Sequence, residues 1–334
     1  MTEARHAPRW LAAPFWNADE RRLRALWRIA GFVAIGAALS RLARLAGLPR
    51  GGTSNPAGIV VGLGLALATL WLTTRFLERR PFVDVGLRWD RDFSRELAIG
   101  LLLGALLMTG VFGVERALGW VTVTGAFVSG AAGRPFALAF LTPVLVFVCV
   151  GILEEVLFRG FLLRNLAQGI AGRLLSPRAA LLAACLLSSA LFGWGHRNNP
   201  SATAVSTLNV AVAGVFLALP FLITGRLALS IGLHVTWNLC QGNLYGFPVS
   251  GITSLKTTLI AIRQGGPELW TGGPFGPEAG LLGLAAMGVG SLAIFVWLRG
   301  PGGAAEIQAA LALPPPRPAS PLSEPAGETG QLVA

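Results

Sequence analysis

The stretch Gly151-Ile-Leu-Glu-Glu-Val-Leu-Phe-Arg-Gly160 places Glu154, Glu155 and Arg159 inside an apolar run that opens near Phe136 and continues to about Leu166. A charged side chain at the centre of a bilayer costs roughly 2.5–3.5 kcal/mol on insertion scales, so ionisable residues at that depth point to function and to a partner. Glu155 and Arg159 are spaced i, i+4, share one helix face and can pair. Glu154 lies about 100° around the helix from Glu155. Its own i+4 position is Phe158, not a cation. One carboxylate is neutralised by Arg159, and the other is free for chemistry.

Outward from this stretch the chain keeps the same character. Of its 334 residues 53% are hydrophobic and 13% charged, with a mean hydropathy of +0.63. A soluble domain carries about 25% charged residues. The fold class is therefore all-α: a polytopic membrane helix bundle with no sheet. Apolar segments recur at about 26–43, 57–77, 97–115, 136–166, 178–196, 207–225, 227–244 and 280–298. Each approaches or exceeds the ~17–25 residues of a spanning helix, which predicts about eight spans. The fourth is longer than one span and is expected to protrude or to break near Pro143. Ser176-Pro177 reads as N-cap and first residue of the fifth helix. The layout is a basic cytoplasmic or interfacial segment at 1–25, a membrane bundle at 26–299 with its catalytic core at about 136–250, and a disordered Pro/Ala-rich tail at 300–334. The 245–279 segment, rich in Gly and Pro, is expected to be a long outer loop, with Thr271-Gly-Gly-Pro-Phe-Gly-Pro277 non-helical.

The net charge is +11, and Lys256 is the only lysine. In a membrane chain such an excess reads as topology signals and anionic headgroups, and no aromatic-interleaved basic patch argues for nucleic acid. Arginines concentrate in the N-terminal tail, in the 75–95 loop and around 164–178, which places both termini in the cytoplasm. The first 20 residues lack the sustained apolar core of a cleavable signal peptide. Arg in place of Lys, with abundant Ala, Gly and Pro, points to a prokaryotic inner or cell membrane. Cys149, Cys185 and Cys240 lie in apolar segments without CxxC spacing and read as packing residues.

Polar groups inside the apolar segments are few. Besides Glu154, Glu155 and Arg159 they include His196, which closes Phe192-Gly-Trp-Gly-His196, and His234 with Asn238, which share a helix face at i, i+4. Each alone has a bland reading: a helix-end salt bridge, a satisfied core histidine, an interhelical hydrogen bond. Together they suit water activation, with Glu154 as general base, His196 sharing the water, and His234 and Asn238 stabilising an oxyanion. Zinc held by Glu154, His196 and His234 is the alternative. No HExxH, GxSxG or GxxxxGK[ST] occurs. The balance leans towards no metal, because Asn238 at i, i+4 from His234 puts two neutral donors on one face, as an oxyanion hole requires. In addition Glu155, already assigned to Arg159, leaves His234 without the carboxylate that a zinc ligand would want behind it.

Glu154-Glu155-Val-Leu-Phe-Arg159 resembles the EExxxR motif of the CAAX prenyl protease and bacteriocin-processing (CPBP, or Abi) family. Phe192-Gly-Trp-Gly-His196 resembles its FxxxH motif, and His234-Val-Thr-Trp-Asn238 its HxxxN/D motif, in the family's order. The resemblance covers roughly 136–250. It implies a helical intramembrane endopeptidase of metalloprotease-like type, acting on a membrane-associated protein or peptide. It also implies roles: Glu154 and His196 activate water, His234 and Asn238 form the oxyanion hole, and Glu155 and Arg159 support the site. The same family includes members linked to bacteriocin immunity or scaffolding, so a non-catalytic membrane protein is the alternative from another class. A proton-coupled transporter is a third, since intramembrane Glu and His also mark proton relays. By this topology His196 and His234 lie near opposite ends of their helices. They would meet through a tilt, a break or a kink at Gly193-Trp-Gly195.

Overall fold

The computed structural model describes residues 13–18, 20–49, 55–299 and 305–314. Long apolar helices dominate it, and local capping chemistry starts several of them. The first are α1 (Ala25–Leu45) and α2 (Pro56–Leu72). The Asn55 side chain accepts from the Gly58 amide and Pro56 takes the first helical position, where its missing N–H costs nothing. Asp90 caps α3 (Arg91–Ala117) by accepting from the Phe93 amide. Next come α4 (Phe136–Glu155), a π-helical segment (Val156–Leu163) and α5 (Arg164–Ile170). Pro143 sits inside α4 without ending it. The departure from regular helix comes later, in the π segment, contrary to the expected break. Ser176 caps α6 (Pro177–Gly195) as its sequence requires, and Thr203 and Ser206 form a capping box on α7 (Ala204–Thr224). The last two long elements are α8 (Ala228–Leu239) and, after a short helix α9 (Glu268–Thr271), α10 (Leu281–Arg299).

Among the described residues, 7 helices are long and apolar enough to cross a membrane, by length and composition. The eighth apolar segment is of another kind. Its helix α8 has only 12 residues, and nearly all of them are buried. Exposed Leu102, Leu106, Leu141, Leu186 and Leu292 give the outer helices an apolar surface suited to lipid, whereas α8 is enclosed by them.

Small residues make that enclosure fit. Gly100 and Gly104 of α3 lie against the backbone of α8. A Cβ at Gly104 would run into the Leu233 carbonyl, and one at Gly232 of α8 into that of Leu97. Such spacing lets two helix backbones approach closely. Gly104→Leu is therefore expected to cost at least the roughly 1–3 kcal/mol typical of overpacking, because backbone cannot yield as a side chain can. Gly110→Leu, with nothing within 4 Å of its Cβ, should be neutral. Thermal unfolding midpoints in detergent compare the two, and equal midpoints would refute the packing argument.

Among the described residues two sheets replace the expected absence of strands. A small antiparallel hairpin pairs β1 (Trp16–Asn17) with β2 (Arg22–Leu23), inside the segment assigned to an interfacial tail. The larger sheet pairs β3 (Val121–Val128) with β4 (Thr258–Gln264), from Val121 opposite Gln264 to Val128 opposite Thr258, with an irregularity between Val123 and Gly125. Alternating β-branched residues in Val121-Thr-Val-Thr124 account for it. Residues 1–12, 19, 50–54, 300–304 and 315–334, with His6 and most of the tail, lie outside the described residues. Residues 305–314 do not trail away. Gln308 donates its amide to the Leu222 carbonyl at 2.9 Å, and Leu311 is buried.

Candidate active site

Glu154 and Glu155 end the α-helical part of α4, and Arg159 lies in the π segment that follows. π turns inside helices recur at functional sites because they re-aim side chains. Arg159 Nη1 donates to Glu155 Oε1 at 2.9 Å, and Nη2 donates to the Gly214 carbonyl of α7 at 2.9 Å. Its guanidinium lies 4.6 Å from the centroid of the Phe192 ring. Glu155 is 0% and Arg159 1% exposed. This ion pair is thus buried at the centre of the bundle, not a solvated bridge at a helix end.

Glu155 Oε1 has a second donor, His234 Nδ1 of α8 at 2.8 Å. A carboxylate only accepts, so Nδ1 carries the proton and Nε2 is turned towards Glu154, whose Oε2 lies 3.7 Å away. The expectation that pairing with Arg159 leaves Glu155 no role behind His234 is therefore corrected: one oxygen serves both. His196 follows the last residue of α6. Its Nδ1 bonds the Phe192 carbonyl one turn back at 2.8 Å, which again fixes the proton on Nδ1 and leaves Nε2 unengaged. Asn238 stands one turn beyond His234.

Glu154, His196, His234 and Asn238 line a single cavity of about 400 Å³, with apolar walls that include Phe147, Phe158, Trp237 and Met287. Glu155 and Arg159 lie behind it and hold His234. The two histidines meet without the expected kink. Helix α6 runs unbroken to Gly195, and Gly193 serves close packing, facing the Thr207 carbonyl of α7. What brings them together is the short, central α8, which carries His234 to the cavity that His196 also lines. Among the described residues no three His, Cys, Asp or Glu side chains converge as a metal site. The set Glu154, His196 and His234 as placed does not fit a zinc ion, although Glu155 behind His234 is a support that metal-bound histidines also use.

The cavity has a roof absent from the sequence reading. The 245–280 segment does not leave the molecule as an open loop but folds over the site. Asn199, three residues past His196, donates to the Ser250 carbonyl at 3.0 Å. The Gly251 amide donates to the Phe275 carbonyl at 2.7 Å. Glu278, in a 3-10 turn that precedes α10, accepts from the amide and hydroxyl of Ser250 and from the Gln241 side chain. Ser250 and Glu278 line the same cavity as the motif residues. The only signal for Glu278 in the sequence is an acid within a Gly/Pro-rich run, which reads equally well as a solvated turn.

Burial pushes the Glu278 carboxyl up to about 7 against the lowering effect of its hydrogen bonds. A carboxyl held above its unfolded value retains its proton in the folded state while the unfolded chain has lost it. Stability then falls as pH rises from about 4.5 to about 7. Glu278→Gln should flatten that part of the pH profile of the unfolding midpoint. An unchanged slope would show that Glu278 does not titrate in this range.

Residues 136–240 match the family model described as Rce1-like, type II CAAX prenyl endopeptidase. The match takes in the helices that bear all three motifs and leaves the outer helices beyond it. It is the protease family that those motifs resemble. No curated protein and no solved structure matches the chain.

Proposed function

We propose that this chain is an intramembrane endopeptidase that hydrolyses a peptide bond in a membrane-associated protein or peptide with water activated by Glu154 and His196. The observation that carries this reading is the convergence of Glu154, His196, His234 and Asn238 on one largely apolar cavity inside the bundle. Glu154 is the general base, and the free Nε2 of His196 holds the same water. The amide of Asn238 donates to the developing oxyanion. His234, held through Nδ1 by Glu155, is the second member of that oxyanion hole. Arg159 is a positioning residue, because it acts through Glu155. Apolar walls suit an apolar or lipid-bearing residue beside the scissile bond. The arginine distribution favours cytoplasmic termini in a prokaryotic membrane.

The test is comparative proteomics of peptides released from membranes that carry the full chain or its Glu154→Gln variant, followed by cleavage of a candidate by purified protein in nanodiscs. Peptides released only by the unaltered chain are expected. Identical peptide sets, with any biological effect retained by the variant, would favour a scaffold or immunity role. Elemental analysis of the active preparation addresses metal. One tightly bound zinc per chain, lost with activity in His234→Ala, would overturn the metal-free mechanism.

A further inference from the structure

A second polar cluster lies at the end of the bundle where α1 begins and α5 finishes. Arg22, Arg28 and Arg80 are 1%, 2% and 4% exposed. Arg164 joins them, since Arg80, Glu78, Asp84 and Arg22 all lie within its electrostatic reach. Two of the carboxylates there are already hydrogen-bonded. Glu78 takes Arg80 Nε at 2.6 Å and the Asn165 amide. Glu20 takes Arg22 Nε and the Asn17 amide, both at 2.6 Å. Among the described residues Arg28 hydrogen-bonds the neutral Gln168, at 3.0 Å, with Glu20 and Glu78 within electrostatic reach. Arg164 bonds the Asp84 carbonyl, with the Glu78 and Asp84 carboxylates in reach. Among the described residues the buried nitrogens Arg22 Nη1, Arg28 Nε, Arg80 Nη1 and Arg164 Nε have no hydrogen-bond partner. Burying guanidinium nitrogens without acceptors is costly, so among the described residues this cluster lacks hydrogen-bond acceptors that an oxyanion would supply.

An open cavity of about 370 Å³ reaches Arg28 from outside, lined also by Glu20, Arg24, Trp27, Gln168 and Arg173. Arg24 and Arg173 add positive charge at its mouth. Trp27 stands partly exposed beside Leu26 on the first turn of a spanning helix, with its ring 4.7 Å from that of Phe15. Paired aromatics at the end of a span mark the headgroup level of a bilayer. Basic pockets between membrane helices at that level bind anionic headgroups, and the planar guanidinium fork matches phosphate oxygens.

We propose that this cavity binds the phosphate group of an anionic phospholipid. Arg28 makes the inner contact, Arg24 and Arg173 the outer ones, and the acyl chains lie along Leu26 and Trp27. The lipid phosphate supplies acceptors to Arg28 and couples α1 to α5. The inference is independent of the catalytic reading.

The test uses the full chain in neutral detergent with phosphatidylglycerol, phosphatidylcholine or inorganic phosphate at equal phosphorus concentration. Native mass spectrometry counts retained lipid, and thermal unfolding reads protection. Phosphatidylglycerol is expected to be retained and to raise the midpoint. The paired variant Arg24→Gln, Arg173→Gln, which alters only the mouth, should weaken retention roughly tenfold or more, the loss expected for a charge-assisted contact. Equal retention of phosphatidylcholine, or phosphatidylglycerol retention unaffected by the paired variant, would overturn the site. Protection by inorganic phosphate equal to that by phosphatidylglycerol would overturn the lipid and leave a soluble-anion site. Arg28→Gln gives a second reading. If it does not fold in phosphatidylcholine, the paired variant alone decides.

Discussion

Replacing Glu154 by Gln is expected to lower the rate of peptide-bond hydrolysis by roughly 10²–10⁴, the range that a positioned general base contributes. The amide preserves shape but cannot accept the water's proton. Glu154 is partly exposed to the cavity and, among the described residues, no side-chain hydrogen bond depends on it; His234 Nε2 lies 3.7 Å from its Oε2. The unfolding midpoint should therefore move little, and substrate should still bind. Single-turnover cleavage of a saturating substrate in nanodiscs, run beside a binding measurement, separates these effects. A variant that keeps near-normal turnover would remove Glu154 from the role of base. One that loses binding and turnover equally would make it a substrate contact instead.

Arg159→Leu has the other large expected effect, on stability. It removes the cation from Glu155, a carboxylate that is 0% exposed, and breaking one partner of a buried pair costs roughly 3–5 kcal/mol. The Gly214 carbonyl and the Phe192 ring lose their contacts as well. His234 remains bonded to Glu155, but the anion that orients it is no longer held in place. Hydrolysis should fall with stability. The double variant Glu155→Gln, Arg159→Leu should recover part of the stability and none of the activity, because it removes the unpaired charge without restoring the support of His234. Thermal unfolding in detergent reads both. A midpoint shift no larger than that of the exposed Arg88→Leu would show that the pair is not the buried centre described above.

Much of this molecule was legible in the residues themselves. Apolar runs of spanning length dictate helices because a backbone in lipid must satisfy its hydrogen bonds within its own segment. Few ionisable groups survive in such runs, so Glu154, Glu155, Arg159, His196, His234 and Asn238 stood out by cost alone. Caps such as Ser176 are local chemistry and were readable in place. The strands β3 and β4 were not foreseen, because residues in short β-branched runs form a sheet only when a distant partner pairs with them.

Three matters belonged to the tertiary structure. Helix α8 has the hydropathy of a span but not its length or surroundings. Close approach at Gly100, Gly104 and Gly232 decides its central place, and that approach is a property of two helices together. Glu155 serves Arg159 and His234 at once, which i, i+4 spacing within one helix cannot reveal. The roof brings Glu278 to the cavity from a Gly/Pro-rich segment whose composition is equally that of a solvent-exposed loop. The sequence by itself determined which side chains were too costly to place in a membrane without purpose. Only the folded chain decided which of them meet, because distances between helices depend on packing at positions remote from the motifs.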